Sequence, residues 1–118
     1  MIWIKIGSLF MFLGVGIGAF GAHALKNNLT AYGQDIFKTA VMYHMFHATA
    51  MLILGVLTYQ IQDPKIHFSG ISFLSGIFLF SGSLYMLAVT QLKWLGAITP
   101  LGGLSFLLGW LFLMLIRG

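Results

Sequence analysis

The run FKTAVMYHMFHATAMLILGVLTY, residues 37–59, decides the fold. It is long enough to cross a bilayer, which takes about 20 mostly apolar residues. Its one formal charge, Lys38, sits at its edge, and its interior carries two histidines, His44 and His47. Three more runs of the same kind surround it, over 6–25, 68–90 and 95–116. Lys5, Lys26, Asp35, Lys38, Asp63, Lys65, Lys93 and Arg117 all fall at the ends of these runs or between them. Backbone in lipid must satisfy its own hydrogen bonds, and continuous apolar runs do so as helices. No two-residue alternation suggests a barrel strand. The expectation is one all-α domain over residues 1–118: an integral membrane four-helix bundle, up-down-up-down.

Composition agrees. Of 118 residues, 59% are hydrophobic and 7% charged, with mean hydropathy +0.98. Soluble domains carry about 25% charged residues, so a soluble enzyme, a disordered chain and a secreted scaffold are excluded. The net charge of +4 is small and scattered, so no nucleic acid partner is expected. With no cysteine there is no disulfide, zinc finger, iron–sulfur cluster or thiol nucleophile.

The linkers are short. In 26–36, Leu29, Tyr32 and Ile36 fall at helical spacing, which predicts a short interfacial helix between the first and second spans. Asp63-Pro64 marks a turn. Thr99-Pro100 reads as an N-cap followed by proline at the first helical position. The small-residue pattern around His23 resembles a signal-peptide cleavage site, but its apolar run is too long and glycine-rich, and three more spans follow. With four spans, Lys5, Lys65 and Arg117 face Lys26, Lys38 and Lys93, a tie under the positive-inside rule. Cytoplasmic termini are the expectation, because short four-span proteins commonly have them.

Fifteen glycines allow close helix approach in lipid. Gly14, Gly18, Gly21, Gly82, Gly102 and Gly103 are the expected packing positions, and a stripe of them could also serve a homo-oligomer. Trp3, Tyr59 and Trp94 read as interfacial anchors, and Trp110 as a packing residue.

The polar residues gather toward the Lys26 end. His23 closes the first span. If the second helix begins at Phe37, His44 lies roughly 10 Å along it. Ser81, Ser83 and Tyr85 approach the same side on the third, and Thr99 opens the fourth. At about 100° per residue, Tyr43, His44 and His47 share one face. Ionisable groups inside spans mark function when they face a bundle interior, so His23, Tyr43, His44, His47, Ser81, Ser83, Tyr85 and Thr99 are candidate ligand-binding residues. His23, His44 and His47 are candidate metal ligands, and a haem would need His23 opposite one of the other two. His67 reads as a surface loop residue. No intramembrane carboxylate supports coupled transport, and no serine has an acid partner for hydrolysis.

Four segments then carry a resemblance: GAFGAHAL (18–25), TAVMYHMFHA (39–48), FSGSLY (80–85) and ITPLGG (98–103). They resemble domain-of-unknown-function family 423, small bacterial membrane proteins related to eukaryotic transmembrane protein 256. The resemblance spans essentially the whole chain. It implies a four-span bacterial inner-membrane protein with no assigned reaction, substrate or cofactor. Its characteristic positions here are Gly18, Gly21, His23, Tyr43, His44, His47, Ser81, Gly82, Ser83, Tyr85, Thr99, Pro100, Gly102 and Gly103. The expected function is a non-enzymatic membrane protein with a one-sided polar pocket for a small ligand, lipid headgroup or metal. A structural accessory subunit is the alternative, and a small transporter or channel the third reading.

Overall fold

A computed structural model describes residues 1–117. Four helices are long and apolar enough to cross a membrane: α1 Ile2–Ala24, α2 Ala31–Leu57, α3 Lys65–Thr90 and α4 Lys93–Met114. No strand occurs among the described residues. Two spans contain one widened π turn each, at Ile17–Gly21 in α1 and Ile77–Gly82 in α3. A 3₁₀ turn, Lys93–Ala97, leads α4.

The predicted interfacial helix is not a separate element. Thr30 caps α2, its Oγ1 accepting from the Gly33 N–H at 2.9 Å. Nothing interrupts the helix between Ile36 and Phe37, so 31–36 are simply the first turns of α2. Thr99 was expected to cap the fourth helix. Its side chain makes no cap, although Pro100 does occupy the first turn. The last residue after α3, Gln91, turns into the left-handed region (φ 60, ψ 24), and its N–H closes onto the Leu87 carbonyl at 2.8 Å.

Consecutive helices pair in opposite chain directions. Along α1, Gly7, Gly14, Gly18 and Gly21 meet Ala48, His44, Val41 and Phe37 of α2 in descending order. Along α4, Gly102, Phe106 and Gly109 meet Phe80, Gly76 and Phe73 of α3. The Ser81 hydroxyl donates to the Ala40 carbonyl at 2.8 Å, joining α3 to α2.

The section is flattened, with principal extents of 48 × 26 × 15 Å. In their most apolar stretches α2 and α3 bury 44% of residues and α1 and α4 bury 17%, so α2 and α3 form the centre. Met51 and Leu54 of α2 and Ile66 and Phe73 of α3 are fully enclosed there. Trp3 is a core residue rather than an interfacial anchor. It is 5% exposed, lies over Gly70, and donates its indole N–H to His67 Nδ1 at 3.0 Å. His67 is correspondingly in the first turns of α3, exposed but engaged. Tyr59 and Trp94 are well exposed near helix ends.

Of the six predicted packing glycines, Gly14, Gly18, Gly21 and Gly102 sit where an added Cβ would crowd a neighbouring helix. Gly82 and Gly103 do not. A Cβ there would find nothing nearer than 3.8 Å and 3.9 Å. Gly7, Gly33, Gly55, Gly70, Gly76 and Gly109 are the other tight crossings.

Candidate functional site

The neighbours of the two buried histidines of α2 select opposite tautomers for their neutral rings. His44 Nε2 lies 2.7 Å from the Phe10 carbonyl of α1. A carbonyl only accepts, so Nε2 carries the proton, and Nδ1 accepts from the Tyr85 hydroxyl at 2.9 Å. His47 has the reverse arrangement. Its Nδ1–H donates to the Tyr43 carbonyl one turn back at 2.7 Å. Its Nε2 accepts from the Trp110 indole N–H at 3.0 Å, and an indole N–H can only donate. Gly14 makes room for this contact: a Cβ there would stand 3.4 Å from His44 Nε2. Thus His44 binds α2 to α1 and α3, and His47 binds it to α4.

The predicted residues do not converge on one pocket. His23 is exposed near the end of α1 and bonds to neither histidine. Among the described residues no three His, Asp or Glu side chains gather as a metal set. The expected His23–His44–His47 site is therefore not formed, and both nitrogens of His44 and His47 are engaged within the protein. The same geometry removes the haem pairing through His23. Ser81 is buried on the Ala40 carbonyl. Ser83 donates to the Phe80 carbonyl at 2.9 Å, so the Thr99 hydroxyl, 2.7 Å away, donates to Ser83 and ties α4 to α3. Tyr85 is committed to His44.

Nor do the polar groups gather at one end of the bundle. Because α2 begins at Ala31, His44 is thirteen residues along it, about 20 Å into a helix about 40 Å long. Further polar ties lie toward the other end: Ser69 donates to the Gly109 carbonyl and Ser105 to the Ser72 carbonyl, both at 2.7 Å.

What the helices do form is a laterally open groove of about 840 Å³ between α2 and α4, with Phe80 of α3 also lining it. Tyr43 and His47 line it, with Phe46, Phe106 and Trp110. His47 and Phe106 stack at 3.6 Å with planes 10° apart. Tyr43 lies beside them, 9° from the His47 plane and 18° from that of Phe106. The Tyr43 hydroxyl makes no hydrogen bond among the described residues, unlike that of Tyr85. Gly103 lines the same space, so its missing side chain keeps the pocket open instead of bringing helices together.

Sequence reasoning missed Phe80, Phe106 and Trp110 as pocket residues because aromatics inside spans are usually filler. One signal was present: an indole N–H at membrane depth needs an acceptor, and His47 lies deep enough to supply it.

At the opposite end from His23, Asp63 Oδ1 accepts from the Lys65 N–H at 3.0 Å and Oδ2 from the Arg117 N–H at 2.9 Å. The Lys65 ammonium is 3.6 Å from Oδ2. These two backbone N–H groups, with help from the lysine charge, hold the Asp63 carboxyl below its ordinary value. The contact sets the chain's C-terminal residues beside the α2–α3 turn.

The family model "Protein of unknown function (DUF423)" matches residues 17–103. The UPF0382 membrane protein YwdK of Bacillus subtilis is 40% identical over 114 residues, covering 96% of this chain and 93% of that protein. A UPF0382 membrane protein of Staphylococcus haemolyticus is 41% identical over 97% of this chain and 93% of its own length, and one of Staphylococcus aureus is 40% identical over the same shares. No solved structure matches. Four apolar helices, a match through the histidine-bearing segments and relatives aligned over nearly their whole length make this chain a member of the DUF423 family of bacterial multi-pass membrane proteins.

Proposed function

We propose that this protein binds a small membrane-dissolved molecule in the lateral pocket between α2 and α4, at the level of Tyr43 and His47, and catalyses no reaction itself. The pocket carries the reading. About 840 Å³ is within the range of small-molecule sites, roughly 300–1,000 Å³. A polar edge also lies at mid-helix depth, where polar side chains are costly unless they serve a purpose. The polar set is narrower than the sequence suggested: Tyr43 and His47 belong to the site, while Ser81, Ser83, Tyr85 and Thr99 hold helices together. The proposed setting is the bacterial cytoplasmic membrane, with both termini and the α2–α3 turn on the cytoplasmic face.

The test is chemical extraction of gently purified protein followed by mass spectrometry, wild type beside Gly103→Trp. A molecule near one per chain in the wild type and depleted in the variant supports binding. Extracts that cannot be told apart sink it. The second reading, a purely structural role for the polar residues, has its own support: both ring nitrogens of His44 and of His47 have protein partners. It predicts that substitutions at these positions change stability and leave the extract unchanged.

A further inference from the structure

The surroundings of the pocket restrict what would enter it. A lipid tail moving from bilayer to pocket exchanges one apolar environment for another, because lipid is as apolar as leucine and no hydrophobic effect drives the exchange. Selection therefore requires something lipid does not offer. Two such features are present. The first is a set of parallel rings: the planes of Tyr43, His47 and Phe106 agree to within 18°. His47 and Phe106 are already stacked on each other and buried, so the open face of the set is that of Tyr43, and a flat conjugated ring laid on it makes an offset stacking contact favourable by up to about tenfold in affinity beyond burial. A flexible chain makes no such contact and loses its rotational freedom. The second feature is the Tyr43 hydroxyl, which has no partner among the described residues and sits about 18 Å along α2, near its middle. Tyr43 is 38% exposed, so its hydroxyl is open to a molecule arriving from outside the bundle, and in apolar surroundings a phenol donor gains from an acceptor that reaches it.

From these we infer that the pocket takes a planar, conjugated ring bearing a carbonyl oxygen, with the ring parallel to Tyr43 and Phe106 and the oxygen accepting from the Tyr43 hydroxyl. This deepens the pocket reading above and rests on it. His47 makes no hydrogen bond to the ring, since both of its nitrogens are engaged, and its stack on Phe106 backs the site from behind. The ring enters sideways from the bilayer, and Gly103 leaves the space for it.

The test uses the full chain in phosphatidylcholine nanodiscs, with radiolabelled 2-methyl-1,4-naphthoquinone as probe and empty nanodiscs as background. Farnesol, flexible and without a ring, is the competitor. Tyr43→Phe removes one oxygen and keeps the ring, so it leaves packing in place. The expected result is saturable binding, weakened between about twofold and tenfold by Tyr43→Phe, abolished by Gly103→Leu, and poorly displaced by farnesol. Equal occupancy by farnesol with no effect of Tyr43→Phe overturns the ring inference and leaves the pocket standing. No saturable binding of the naphthoquinone overturns the inference as well. The pocket reading then stands or falls on the extraction experiment, which does not depend on this probe.

Discussion

His47 shows how one side chain can serve both packing and recognition. Its Nε2 is the acceptor for the Trp110 indole, and its face stacks on Phe106. Replacing it with alanine leaves the indole N–H of the part-exposed Trp110 without its acceptor, at a cost of about 1 kcal/mol. Trp110→Phe leaves the imidazole lone pair unpaired at a similar cost. The two act on one bond, so the double variant should fall short of the sum by about 1 kcal/mol in a reversible unfolding assay. Strict additivity would mean the bond contributes nothing. The opposed tautomers give a second, spectroscopic prediction. In ¹⁵N spectra of histidine-labelled protein, His44 should show a protonated Nε2 and a bare Nδ1, and His47 the reverse. Two rings of the same tautomer, or two doubly protonated rings, would contradict the hydrogen-bond assignment. Part of this was legible in the sequence. The 43–47 segment stands out because it alone places two histidines inside one apolar run. The partners were not legible, because Phe10 offers only a backbone carbonyl and Trp110 lies 63 residues away.

Among the helices, the glycines separate by what stands opposite them. At Gly102 a Cβ would meet the backbone of Phe80, which cannot swing aside, whereas at Gly103 the nearest atom is a ring carbon at 3.9 Å. Gly102→Ala should therefore destabilise by about 1–3 kcal/mol, as overpacking does. Gly103→Ala should be neutral or slightly stabilising, since alanine is the better helix former. Thermal unfolding in one detergent compares them directly, and equal effects would refute the distinction. Adjacent glycines of identical local sequence pattern cannot be told apart without knowing which helix faces them, so Gly82 and Gly103 were misread as packing positions. The four spans were legible because each is a long apolar run with charges at its ends. Their starts were less so. Ile2–Lys5 and Ala31–Ile36 continue their helices past the apolar window, and in α2 the Thr30 cap fixes the first turn regardless of hydropathy. That six-residue difference moves His44 from near the expected helix start to the middle of α2.

At the level of the molecule, Asp63 ties the C-terminal residues to the α2–α3 turn. Its carboxyl is held below the ordinary value of 3.8 by the Lys65 and Arg117 N–H groups. A depressed carboxyl contributes stability that is full above its unfolded value and is lost as pH falls through its folded value. Acidification below about pH 4 should therefore free the end near Arg117, read as faster amide exchange there. Asp63→Asn should show fast exchange there already at neutral pH, and an unchanged acid profile in that variant would count against the tie. The flattened section has a different consequence. Synthesis runs from the N-terminus, so the α1–α2 hairpin exists while α3 and α4 are still on the ribosome. At that stage His44 already has its carbonyl at Phe10, but the Tyr85 hydroxyl and the Trp110 indole have not arrived. The nascent hairpin thus carries two open lone pairs at membrane depth, and each is closed by a later helix. A chain that stops before α4 leaves the His47 acceptor open, so the last helix to be made closes the last polar gap in the bundle.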